Sequence, residues 1–261
     1  MTVAITRPVS RSIAHCELTH LARSLIDLDV ARDQHAAYEA ALESLGVRIE
    51  RLPEAPDLPD AVFVEDCAVV FEELAVICRP GAASRRAEVP AVAAALAARR
   101  PLLHITAPGT LDGGDALVLD AEVVVGETAR SNAEGVAQLR AALAPFGRTV
   151  RSVPVTGALH LKSAVTRAGQ RTLLMNRAWV DADAFPGWDV VTVDPSEPFA
   201  GNALWLDPHV IHAESFPLTR ERLAAAGVPV VTVPASELAK AEGGVTCCAL
   251  LVRGSRRLQG A

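Results

Sequence analysis

Aromatic side chains make up only 4% of this sequence. A core built on rings is therefore excluded, and burial must come from Val, Leu, Ile and Ala. Cysteine is also sparse: five residues in 261, an odd number. That argues against a disulfide framework and for a reducing compartment. Long apolar runs are missing too. The longest, near Val89 to Ala98, falls far short of the roughly 20 residues a membrane span needs. Arg7, Pro8 and Arg11 interrupt any apolar stretch near the start, so no signal peptide is expected and the expected location is cytoplasmic. There is no Walker motif, no GxGxxG after a strand and no Gly-x-Ser-x-Gly elbow, and each absence removes a large class of enzymes. His15 with His20, and His209 with His212, lack the neighbouring ligands of a zinc site, so neither metal nor cofactor is expected. The net charge of −6 suits nucleic acid poorly and is compatible with a cationic small molecule.

What is present is a repeat. Five apolar segments share a small or polar residue, then Ala, then Val or Leu: CAVV, DALV, SAVT, NALW and CALL. Their alanines fall at positions 68, 116, 164, 203 and 249, in steps of 48, 48, 39 and 46 residues. Four are followed by a second β-rich run (LAVIC, EVVVG, RTLLM, HVIHA), which predicts hairpins. The fifth lies near the C-terminus and can pair with the opening strand VAIT. Alanine- and leucine-rich helical patterns follow the first, second and fourth hairpins. Ser131 or Asn132 is the expected cap of the second, and Thr219 of the third, with Gly147 and Gly227 as stops. PLLHIT, TVRSVPV and VPVVTVP then read as closing strands. The expectation is an α/β chain of about five ββαβ units in one domain spanning residues 1–261.

The unusual polar residues stand just before the repeat alanines: Glu65 and Asp66, Asp112, His160, Asn202 and Cys247. Repeats arranged around an axis bring equivalent loops together, which would gather acids, an imidazole and a thiol in one cavity. Cys plus His is a nucleophile–base pairing, and a carboxylate such as Asp112 can orient the imidazole. Asp115 is the alternative carboxylate. His160 reads as sharing a strand face with Lys162, and Cys248 as pointing away from Cys247 on a strand. Glu65 and Asp66, with Asp60 upstream, are costly to bury unless they meet a cation. A guanidinium accepts that role through paired hydrogen bonds. Arg85 and Arg130 follow second strands and can clamp a carboxylate.

FVEDCAVV, RPGAASRR, LDGGDALVL, ETARSNAEG, LHLKS, NALWL and GGVTCCALLV resemble, in order and over essentially the whole chain, the dimethylarginine dimethylaminohydrolase family. That resemblance implies a five-bladed pseudo-symmetric α/β-propeller (a pentein) around a central active site. It implies Cys247 as nucleophile, His160 as acid/base and Asp112 as its carboxylate partner. It implies guanidinium contacts from Glu65 and Asp66, with Asp60 nearby, and contacts to the substrate α-carboxylate and amine from Arg85, Arg130, Leu18 and the backbone near Ala241. Ser131 stands where the family often has Thr. The implied reaction passes through a covalent thiouronium to citrulline and dimethylamine. Starting from an ordinary thiol, substrate charge need supply only about 2 kcal/mol to favour the thiolate. An arginine deiminase, a hydrolase of another N-substituted arginine, or a non-catalytic five-bladed binding protein are the competing readings. A homodimer is left open.

Overall fold

The computed structural model describes residues 1–254. Strand β1 (Thr2–Thr6) opens the chain, followed by helix α1 (Leu28–Ser44) and β2 (Arg48–Arg51). The next unit runs β3 (Ala68–Val70), β4 (Ala75–Ile77), α2 (Val89–Ala97) and β5 (Leu102–His104). It is followed by β6 (Ala116–Leu119), β7 (Glu122–Glu127), α3 (Ala133–Leu143) and β8 (Thr149–Pro154). A single helical turn, α4 (Leu161–Ala164), leads into β9 (Val165–Arg167), β10 (Thr172–Met175) and β11 (Asp189–Thr192). Then come β12 (Ala203–Leu206), β13 (His209–Ala213), α5 (Pro217–Ala225) and β14 (Val230–Val233), a turn α6 (Ser236–Ala239), and β15 (Leu250–Arg253).

These strands form five sheets of three among the described residues. In each, the middle strand runs antiparallel to its hairpin partner and parallel to the strand that returns after the connection. The fifth sheet is made from both ends of the chain: β15 pairs antiparallel with β1, and β1 pairs parallel with β2. First strands of neighbouring units lie side by side, β15 against β3, β6 against β9 and β9 against β12. Together they surround an axial cavity, which Ala68, Ala116, Ala203 and Ala249 line. The repeated alanines thus mark the start of the first strands, along the wall of this cavity. The architecture is the five-unit pseudo-symmetric α/β-propeller that the resemblance implied, in keeping with the five-fold repeat.

Local sequence explains the elements. The Asn132 side chain accepts the Gly135 N–H and caps α3. Val136, Leu139 and Leu143 of α3 pack on Val123, Val125 and Val150. Gly147 follows in the left-handed region at φ 68°, where L-residues are strained. Two expectations need correction. The third unit has no α-helix between β10 and β11, only a 3-10 turn at Ala182–Ala184. Trp179, Val180 and Phe185 cover that sheet instead, and the missing helix accounts for the short 39-residue step. Thr219 does not cap α5, which starts at Pro217. Proline suits that first position, and Glu197 from a distant loop accepts the Leu218 and Thr219 N–H groups.

Leu139→Ala should cost about 2–5 kcal/mol, since it empties a fully buried site between helix and sheet. The urea midpoint measures it, and a loss below about 0.5 kcal/mol, the range of surface substitutions, would contradict this packing.

Candidate active site

His160 is the residue before the α4 turn, in extended conformation. It does not share a strand face with Lys162, because Leu161–Ala164 is helical. The Leu161 N–H is satisfied by Asp115 Oδ1 at 3.1 Å, so a buried carboxylate takes the place of a strand partner. His160 Nε2 lies 3.0 Å from Asp112 Oδ2 and 3.8 Å from Asp66 Oδ1. Asp112 is fully buried, and its Oδ1 accepts the Gly81 N–H at 2.8 Å. Asp66 accepts from Arg85 and from the Gly114 N–H. Gly114 has to be glycine: a Cβ there would stand 2.7 Å from Asp66 Oδ1 and 2.8 Å from His160 Nδ1. Asp115, the alternative carboxylate, is spent on Thr128, Ser131 and Leu161.

Cys247 sits in a turn just before β15, not in the strand itself. Its N–H donates to the Gly244 carbonyl and its carbonyl accepts the Glu65 N–H, both at 3.1 Å. The Gly244 N–H donates to Sγ at 3.3 Å. Cys248 is directed elsewhere, into a crevice with His35, Tyr38 and Leu238. The two thiols diverge as expected, but through turn geometry.

One narrow hollow is lined by Cys247, His160, Asp60, Asp66, Arg85, Arg130 and Ala241. Asp60 accepts the Glu17 N–H there. Arg130 reaches Thr19 Oγ1 at 3.4 Å and Asp112 Oδ2 at 3.6 Å. The Arg85 guanidinium is held by Asp66, Glu88 and the carbonyls of Asp60 and Phe63. Leu18 packs on the core cluster that contains Phe63, Ala241 and Cys247. The geometry does not bring Glu65 into this cavity: it lines the axial one, with Lys162 and Thr246. Several lining residues escaped the sequence reading, notably Glu17, Phe63, Leu159 and Glu242. Glu242 accepts the consecutive N–H groups of Thr19, His20 and Leu21 at 2.5–3.1 Å, so it latches the entry loop. Its backbone is left-handed, at φ 59°. The paired glycines after it were the available signal.

Electrostatics set the protonation states. Burial alone would lower the His160 pKa, but Asp66 and the hydrogen bond to Asp112, helped by Asp115, outweigh it and raise it to about 9. The imidazole is therefore cationic at neutral pH. Burial, then the charges of Glu65 and Asp66, push the Cys247 thiol up to about 12. Burial opposes ionisation of Asp66, yet His160 and Arg85 hold it well below the usual carboxylate range. Ligand atoms of Asp66, Asp112 and His160 lie within 4.8 Å of one another, a spacing that could hold a metal ion. Both carboxylates are already matched by protein cations and N–H donors, so the set is that of an imidazolium held between two acids. A nucleophile, a proton donor and an anionic wall around one hollow can attack a planar cation and protonate its leaving group.

No family model matches the chain. It is 41% identical over 252 residues to the N(G),N(G)-dimethylarginine dimethylaminohydrolase of Streptomyces coelicolor, covering 96% of both. It is 34% identical over 249 residues to the Pseudomonas aeruginosa enzyme of the same name, covering 94% of this chain and 97% of that one. A crystal structure from P. aeruginosa, a cysteine-to-serine variant complexed with citrulline, superposes with a TM-score of 0.92 at 34% identity, covering 96% and 98% of the two chains. The N-terminal domain of the arginine dihydrolase ArgZ, at 19% identity and a TM-score of 0.88, shares the fold over 97% of this chain and 99% of that one. This chain belongs to the dimethylarginine dimethylaminohydrolase family.

Proposed function

We propose that this chain hydrolyses Nω-methylated L-arginine, asymmetric dimethylarginine and monomethylarginine, to L-citrulline and di- or monomethylamine. The observation that carries the reading is one cavity bordered by Cys247, His160, Asp66, Arg85 and Arg130 in a chain of this family. The guanidinium docks against Asp66, with the charge of Glu65 behind it. Asp60 and the backbone near Ala241 and Leu18 receive the α-amino group, and Arg85 and Arg130 the α-carboxylate. The cavity is complete within one chain, which supports a single catalytic domain, active alone or in a homodimer. Among the described residues no helix is long and apolar enough to cross a membrane, in keeping with a cytoplasmic enzyme.

In the mechanism, substrate binding drives the Cys247 proton out to solvent, since His160 is already protonated, and the substrate cation and the imidazolium stabilise the thiolate that remains. Because the resting thiol sits at about 12, reaching neutrality takes roughly 7 kcal/mol at 1.36 per pKa unit. That is well above the 2 kcal/mol an unperturbed thiol would need, and it makes the nucleophile dependent on bound substrate. The sulfur adds to the guanidinium carbon. With Nε2 engaged by Asp112, Nδ1 of His160 delivers a proton to the departing dimethylamine as the C–N bond breaks. The neutral imidazole then takes a proton from water, whose oxygen adds to the thiouronium carbon. The added hydroxyl gives its remaining proton to solvent as the C–S bond breaks, releasing citrulline and the thiolate.

Incubation with asymmetric dimethylarginine should yield citrulline and dimethylamine in equal amounts, at a kcat/KM well above that for arginine. A preference for arginine, with ammonia released, would move the assignment to a deiminase. Cys247→Ser should lose turnover by several orders of magnitude while still binding substrate in calorimetry, and near-normal citrulline production would reject the nucleophile.

The proton on His160 also has a thermodynamic signature. Its folded pKa of about 9 exceeds the ordinary histidine value of about 6.5. Proton binding therefore stabilises the fold fully below about pH 6.5, and that contribution is lost as pH rises through 9. His160→Asn should flatten the fall in melting temperature between pH 6.5 and 9. An imidazole NMR midpoint at or below 6.5 in the parent would refute the assignment.

A further inference from the structure

Glu65 faces the axial cavity, away from the substrate hollow, and every polar atom of its side chain is engaged. Oε1 accepts from Lys162 Nζ at 2.5 Å and Oε2 from Thr246 Oγ1 at 2.7 Å. Its N–H donates to the carbonyl of Cys247. Asn202 completes a circuit. Its Nδ2 donates to Thr246 Oγ1 and to the Lys162 carbonyl, both at 2.9 Å, and its Oδ1 accepts the Thr246 N–H at 3.0 Å. Lys162 stands two residues after His160, and Thr246 immediately before Cys247. The circuit therefore joins the turn that bears the imidazole to the turn that bears the thiol, drawing on four of the five units.

Its charge matters as much as its geometry. The Glu65 carboxylate disfavours the Cys247 thiolate, and Lys162 acts in the opposite sense. Without Lys162, Glu65 would be a buried acid with no cation, a costly state.

We propose that Lys162 is a positioning residue for the nucleophile, acting through Glu65: it ties the Thr246–Cys247 turn to the His160 turn and neutralises a carboxylate buried beside the thiol. The inference rests on Cys247 being the nucleophile. Its site is separate from the substrate hollow, so its effect falls on kcat and on thiol reactivity, with little on KM.

The test compares Lys162→Met, Lys162→Arg and Thr246→Val in the full chain. Two readouts are used: steady-state kinetics with asymmetric dimethylarginine, and the rate of Cys247 alkylation by iodoacetamide without substrate, followed on the Cys247 peptide by mass spectrometry. Misplacing a reacting group by an ångström costs about 10²-fold, so Lys162→Met should lower kcat about that much with KM within about threefold. Its alkylation should slow about tenfold, the equivalent of one pKa unit. Lys162→Arg keeps the charge and should restore both to within about threefold of the parent. A Lys162→Met enzyme that raises KM at constant kcat, or alkylates at the parent rate, overturns the proposal. So does a Lys162→Arg enzyme as slow as Lys162→Met. If Lys162→Met does not fold, Thr246→Val cuts the same circuit without changing charge, and parent-like alkylation there is equally fatal. The alkylation arm needs no turnover, so it judges Lys162 even if dimethylarginine proves not to be the substrate.

Discussion

A buried imidazolium held between Asp112 and Asp66 is the constraint on which this molecule turns. It can exist only where acids from different units meet away from water, and the fold provides that place. Asp112 in turn needs the Gly81 N–H, and Asp66 needs Arg85 and the Gly114 N–H. Asp66, Asp112 and His160 each sit in a short turn at the entrance to a first strand, while Gly81 and Arg85 follow the second strand of the first unit. Moving any one of those turns leaves a charge without its match, which in a protein interior costs several kcal/mol. The glycines of LDGGD follow from the same demand, since a side chain at Gly114 would push the acid and the imidazole apart.

Asp66, which helps keep His160 charged, also disfavours the Cys247 thiolate, together with burial and Glu65. In the proposed mechanism the resting protein thus keeps its proton donor loaded and its thiol quiet. Arrival of a cation changes the balance at the sulfur, because a further positive charge then stands beside it. Recognition and activation become one event: a neutral molecule of the same shape could occupy the hollow without arming the thiol.

Much of this was legible in the sequence, for a physical reason. Alanine recurs at the start of the first strands, where they line the axial cavity, so the repeat is a trace of the architecture. His160 and Cys247 could be found because each stands a few residues ahead of a repeat alanine. Other features left no comparable trace. Helix α1 escaped notice because its buried face carries His35 and Glu39 beside Ala31, Tyr38 and Leu42, which blurs the apolar period. The adjacent acids Glu65 and Asp66 read as one pair, yet a 3-10 turn sends them to different cavities. Local pattern does not encode that choice of face. The elevated pKa of the thiol was also out of reach, since it depends on burial and on the charges of Glu65 and Asp66, far away in sequence.

The fifth sheet, which pairs the first strand of the chain with the last, has a consequence for how the molecule comes into being. Cys247 is held in a turn just ahead of β15, and β15 has no sheet to join until β1 lies beside it. On the ribosome β1 therefore waits, one edge unpaired, until β15 has been made. The other four units can assemble in order as they emerge, but the chemical centre is seated only once β15 joins β1. A nascent or shortened chain can look largely folded and still be chemically inert.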